Sequence, residues 1–126
     1  MTTRIVLAGV FAAACAAQAQ AADMTLAVKW CGSQTPEFTV ANVPKETTQF
    51  DLQMMDLQVQ TYRHGGGKVA YKGGKTIPCG SIPFSGYEGP SPPFPQVHDY
   101  QWTAKAMDAS GRVLATATAT RKFPER

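Results

Sequence analysis

Residues 100–123 read YQWTAKAMDASGRVLATATATRKF, and the alternation in this stretch decides the class of fold. Apolar side chains fall at every second position through Tyr100, Trp102, Ala104 and Ala106, and VLATATAT repeats the rhythm from Val113 onward. A period of two sends neighbouring side chains to opposite faces of an extended strand. Between the two runs, Ala109, Ser110 and Gly111 have the small, turn-forming character of a hairpin loop. The stretch reads as a pair of antiparallel strands.

Working outward, MTLAVKW (24–30), FTV (38–40) and FDLQMMDLQV (50–59) carry the same alternation, with some blur in the last. Breakers separate them: GSQTP (32–36), NVPKETT (42–48), HGGG (64–67) and KGGK (72–75). No segment keeps a period of 3.6 over three helical turns, and no internal repeat is present. An all-β, mostly antiparallel sandwich with little or no helix follows.

The first 21 residues have a different character. Arg4 precedes an apolar run over 5–17, and AQAQAAD (17–23) offers small-residue cleavage after Ala19 or Ala21. This is the pattern of a secretory signal peptide. The run falls short of the roughly 20 apolar residues that a membrane-spanning helix needs. Cys15 follows AAA rather than a Leu-led lipobox and is expected to leave with the leader. The remaining 22–126 then form one domain with one modest core, in a periplasmic or secreted protein.

Export changes the meaning of the cysteines. Cys31 and Cys79 are the two left after the leader, and an oxidising compartment favours a bridge between them. Closing a loop of about fifty residues stabilises a fold by about 3–4 kcal/mol on the chain-entropy view. A metal site is not indicated, since C-x-x-C spacing is absent and the two histidines are not paired on a helix. Charge points away from nucleic acid: the formal +3 is spread thinly, with Lys68, Lys72 and Lys75 interrupted by glycines and only Arg121 and Lys122 adjacent near the end.

The segment GYEGPSPPFPQVHDYQW (86–102) concentrates four prolines and one of the two histidines. Proline fixes φ and removes a donor, so this is a pre-shaped rim or a linker, and not the interior of a sheet. Together with A-M-D at 106–108, it resembles the G-Y-x-G-P-x-P-P segment, His-Arg-Tyr and A-L-D strand of the bacterial branch of the phosphatidylethanolamine-binding protein family. The matching residues are Gly86, Tyr87, Gly89, Pro90, Pro92, Pro93, His98, Tyr100, Ala106 and Asp108. The similarity runs over 30–123: WCGSQTPEFTVANVP resembles the family's opening, Asp56 takes the place of the first Asp of its D-P-D-A-P signature, Tyr62-Arg63-His64 resembles the aromatic-x-His after it, and GRVLATATATRKF resembles its last strand.

The resemblance implies a β-sandwich with a small surface cavity for phosphate- or carboxylate-bearing ligands, with Asp56, His64, Tyr87, Gly89, Pro90 and His98 as the candidate binding residues; no cofactor is expected. Asp56 would orient one imidazole, the imidazoles would supply charge-assisted donors, and Pro90, Pro92 and Pro93 would hold a rigid wall. Departures are equally specific. Gln58 stands at the second signature Asp, Asp99 replaces the Arg after His98, the 64–86 segment is short, and the helix that usually precedes the last strand is missing.

Other readings of the same residues stay open. Asp56 also suits a turn-capping carboxylate, His64 a surface loop residue, and Tyr87, Tyr100 and Trp102 the aromatics of a small core. Ser81, Ser85 and Ser91 lie near the proline loop, but none sits in a G-x-S-x-G elbow, so hydrolysis has no nucleophile to point to. Two functions of different class remain: a binding module for a small anionic ligand, and a protein-interaction or inhibitor module that keeps the fold with its pocket filled.

Overall fold

A computed structural model describes residues 8–10 and 22–126; the leader expected over 1–21 lies, apart from 8–10, outside the described residues. In chain order the elements are β1 (Thr25–Cys31), β2 (Gln34–Ala41), β3 (Gln49–Asp56), β4 (Gly65–Ala70), β5 (Thr76–Ile77), a 3₁₀ turn (Phe84–Gly86), β6 (His98–Met107) and β7 (Val113–Phe123). They make two antiparallel sheets, ordered β1-β2-β5 and β4-β3-β6-β7. The all-β, antiparallel expectation holds.

Alternation does what the sequence requires. Phe38 and Val40 of β2 face Phe50, Leu52 and Met54 of β3 and Tyr100, Trp102, Ala104 and Ala106 of β6, and all are buried in one cluster. Phe38 meets Trp102 edge to face at 4.9 Å between ring centroids, joining the two sheets at the centre. Full burial of such side chains contributes about 1.5–3 kcal/mol each. The β6–β7 hairpin pairs from His98↔Phe123 to Met107↔Val113. Asp108 closes its turn by accepting from the Ser110 and Arg112 amides at 2.9 Å each. At the open side, the Trp30 indole donates to the Lys122 carbonyl at 2.8 Å and Arg121 donates to the Val28 carbonyl at 2.6 Å, drawing β1 against β7.

Three sequence expectations need correction. GSQTP is not wholly a breaker, because β2 begins at Gln34 and buries Thr35 and Pro36. Pro36 lies between Glu37 and Gln34, where the β1–β2 register shifts, the kind of irregularity at which a strand admits proline. The strand expected over 50–59 stops at Asp56, whose side chain caps the turn that follows. HGGG is not a loop: Gly65, Gly66 and Gly67 open β4 and pair with Met54, Gln53 and Leu52. Glycine is needed there for close approach. A Cβ on Gly66 would lie 1.7 Å from the Leu52 carbonyl oxygen, and one on Gly65 (φ +77°) would lie 2.2 Å from that of Gly86.

Cys31 and Cys79 are joined as expected, 48 residues apart with Cα atoms 6.0 Å from each other. Two stability outcomes follow. Cys79→Ser, or reduction, should cost about 3–4 kcal/mol and lower the melting temperature by more than about 10 °C, read by thermal denaturation with and without reductant. Gly66→Ala should be at least as damaging, since relief of the clash requires β3 and β4 to part; a melting temperature within about 2 °C of the parent protein would show that the strands tolerate a side chain there.

Candidate functional site

The inner faces of β3 and β6 turn from apolar to polar at one end of the core. Along β3 the buried positions are Phe50, Leu52, Met54 and then Asp56; along β6, in the opposite direction, they are Ala106, Ala104, Trp102, Tyr100 and then His98. The register sets Met54 opposite Trp102 and Asp56 opposite Tyr100, so the same period that builds the core delivers Asp56 and His98 to its mouth. The His98 Nδ1–H donates to Asp56 Oδ2 at 2.6 Å. Only 4 % of Asp56 and 6 % of His98 is exposed.

The other carboxylate oxygen, Oδ1, accepts from the backbone amides of Gln58 at 2.9 Å and Val59 at 3.2 Å. Burial by itself would raise the Asp56 pKa. The hydrogen bond and charge of His98, with the Gln58 and Val59 amides, outweigh it and hold the carboxyl below its ordinary value. Both sequence readings of Asp56 are therefore true together: one oxygen caps a turn and the other orients an imidazole.

His64 arrives just before β4. Its Nδ1–H donates to the Glu88 carbonyl at 2.7 Å, and the Glu88 amide donates back to the His64 carbonyl at 2.8 Å. This reciprocal pair, next to the Gly65–Tyr87 bridge, fixes the imidazole against the proline loop. Its Nε2 has no hydrogen-bond partner among the described residues. Tyr100 sits between the two imidazoles, edge-on to His64 at 5.5 Å and stacked on His98 at 6.3 Å. Burial first, and then the Asp56 carboxylate, push the Tyr100 phenol up to about 12, so its hydroxyl stays protonated at neutral pH.

These groups floor a cleft of about 260 Å³, bounded by Val59 and Tyr62 on one side and by Glu88, Gly89, Ser91, Pro92 and Pro93 on the other. Of the residues predicted from sequence, Asp56, His64, Gly89 and His98 meet in this cleft. Tyr87 and Pro90 do not line it. Tyr87 is buried with its ring 5.5 Å from that of Trp102, and burial pushes its phenol up to about 12. The wall is made by Pro92 and Pro93, and Pro90 precedes it. Tyr62 and Tyr100 also line the cleft, outside the set of residues the sequence pattern points to. Tyr100 had a signal, because it is two residues from His98 and so shares its face.

The two departures from the resembled pattern find each other. Gln58 Oε1 accepts from the Asp99 amide at 2.7 Å, Gln58 Nε2 donates to Asp99 Oδ2 at 3.2 Å, and Lys122 Nζ reaches Asp99 Oδ1 at 3.0 Å. Neither Gln58 nor Asp99 lines the cleft. Alternation turns Asp99 away from the face that carries His98 and Tyr100, so its negative charge meets Lys122 and not a ligand. The His98 Nε2 lies 2.8 Å from Gln96 Oε1. With that oxygen accepting, both ring nitrogens donate and the ring is cationic; a half-turn of the amide offers its NH₂ to the neutral ring instead.

No protein-family model matches the sequence, and no curated protein is significantly similar to it. Among the described residues, no group of three or more His, Cys, Asp and Glu side chains is placed to hold a metal ion. No helix among them is long and apolar enough to cross a membrane.

Asp56→Asn tests the floor of the cleft. An amide cannot accept from His98 and two backbone donors as a carboxylate does, so a loss of about 2–3 kcal/mol is expected at neutral pH by chemical denaturation. Because the folded carboxyl lies below its unfolded value, near 3.8, its contribution is present above that pH and is lost as pH falls through the folded value. The variant should therefore show a flatter acid limb than the parent protein; parallel limbs would assign acid sensitivity to other carboxylates.

Proposed function

We propose that the exported chain is a non-catalytic binding module of the phosphatidylethanolamine-binding type, taking a small phosphate- or carboxylate-bearing ligand in the cleft of Asp56, His64 and His98. The observation that carries this reading is the convergence of two imidazoles, each with Nδ1 committed to a protein oxygen, on one open cleft. Nδ1 donation fixes the orientation of each ring and leaves its Nε2 for a further partner, Gln96 at His98 and none among the described residues at His64. The family part of the reading rests on the sequence pattern, and the meeting of Asp56, His64, His98 and Gly89 supports it.

The size of the cleft suits a phosphate or carboxylate head and little more, being just under the usual range for sites that enclose drug-sized molecules. No Lys or Arg lines it. The Asp56 charge is already engaged by three donors, so anion recognition falls to the imidazoles, the Tyr100 hydroxyl and the proline-loop backbone. Binding without catalysis is the reading adopted, since no serine hydrogen-bonds to either imidazole among the described residues.

One observation favours a second reading. Phe94 is 83 % exposed beside the cleft, with Val59, Tyr62 and Val97 also exposed, and such an apolar rim suits a protein partner. Titration of the mature, oxidised protein with phosphate and phosphoethanolamine, followed by amide and imidazole NMR signals, separates the two. Binding that saturates and centres on His64, Gly89 and His98 is expected, and His98→Ala should abolish most of it. A well-dispersed spectrum that stays unchanged would refute the ligand reading and leave the rim as the functional surface.

A further inference from the structure

We infer that the side chain of Gln96 is a built-in occupant of the second imidazole, an arm that a ligand must displace to reach His98 and that thereby selects ionised ligands over neutral polar ones. The inference rests on the reading of the cleft given above and concerns its selectivity.

The two imidazoles are not equivalent. His64 Nε2 is open, whereas His98 Nε2 is held 2.8 Å from Gln96 Oε1 while its Nδ1 is held by Asp56. His98 therefore has no nitrogen to spare until the arm moves. Movement is local. The Gln96 backbone is pinned by its amide donating to the Pro93 carbonyl at 2.7 Å, and Pro92, Pro93 and Pro95 restrict φ on the approach. The Gln96 side chain is exposed, so rotation about its own single bonds, which is fast in exposed residues, is enough to uncover the ring.

An amide is also an unusual cover. Its carbonyl accepts from the charged ring and its NH₂ donates to the neutral one, so a change of charge on His98 does not by itself release the arm. Release requires a competitor that bonds better than an amide oxygen. An ionised oxygen does, since charge-assisted hydrogen bonds are roughly twice as strong as neutral ones. A neutral carbonyl or ester oxygen merely replaces like with like. The filter thus lies in the exchange of one acceptor for another, and an anion gains His98 as a second donor after first meeting His64.

Gln96→Ala is the test, and because the side chain is exposed the fold should survive it. Kd for inorganic phosphate should tighten about three- to tenfold, the range expected for removing one competing hydrogen bond. Trimethyl phosphate, a neutral analogue, should gain measurable binding in the variant only. Unchanged phosphate affinity, or weaker binding, would overturn the arm. If neither protein bound phosphate, the cleft reading itself would fail, and the arm would be judged separately from the rate of His98 modification by diethyl pyrocarbonate. Faster modification in Gln96→Ala supports the cover, and equal rates refute it.

Discussion

The carboxylate of Asp56 is the interaction on which the rest of the molecule turns. One oxygen takes the amides of Gln58 and Val59 and so ends β3. The other takes His98, the first residue of β6, from a strand 42 residues away. A single buried anion with three donors thus fixes where one strand stops, where another begins, and how an imidazole is oriented. Its location at the end of an apolar row is what makes this stable: Met54 and Trp102 close the core behind it, and the low local polarity strengthens each bond while making any missing partner costly.

Around that anion the cleft is assembled from rigid parts. The reciprocal bonds between His64 and Glu88 connect the start of β4 to the proline loop, and they form only because Gly65 and Gly66 let the β4 backbone lie against Gly86 and Leu52. Pro92 and Pro93 complete the wall. A cleft built in this way has little conformational freedom left to lose. Gln96, exposed on the same stiff loop, reaches His98 Nε2 with its side chain alone.

Much of this was legible in the chain. Alternation gave the strands, because a half-buried sheet obliges a period of two, and the Cys31–Cys79 bridge could be expected because an exported reading of the chain leaves these two cysteines with one pairing. The core ends at Asp56 and His98 could be found by pattern for the same reason that Tyr100 could: all sit in phase with buried neighbours. What was not legible depends on contacts between distant backbones. Three consecutive glycines signal a flexible loop locally, yet here they form a strand because a carbonyl 14 residues earlier leaves no room for Cβ. Tyr87 was assigned to the ligand by its motif and belongs to the core by its packing on Trp102. The clamp of Gln58 on Asp99 could not be read from either residue alone.

The covalent ring closed by Cys31 and Cys79 divides the site in an uneven way. Asp56 and His64 lie within the ring, whereas His98, Tyr100 and the proline loop come from the chain that follows it. β3 pairs with β4 inside the ring and with β6 outside it. The segment closed by the bridge therefore carries one half of the cleft, and the C-terminal hairpin, paired along β3, carries the other. The cleft is thus half inside the covalent ring and half outside it, and the β3–β6 pairing, not the bridge, holds its two halves together.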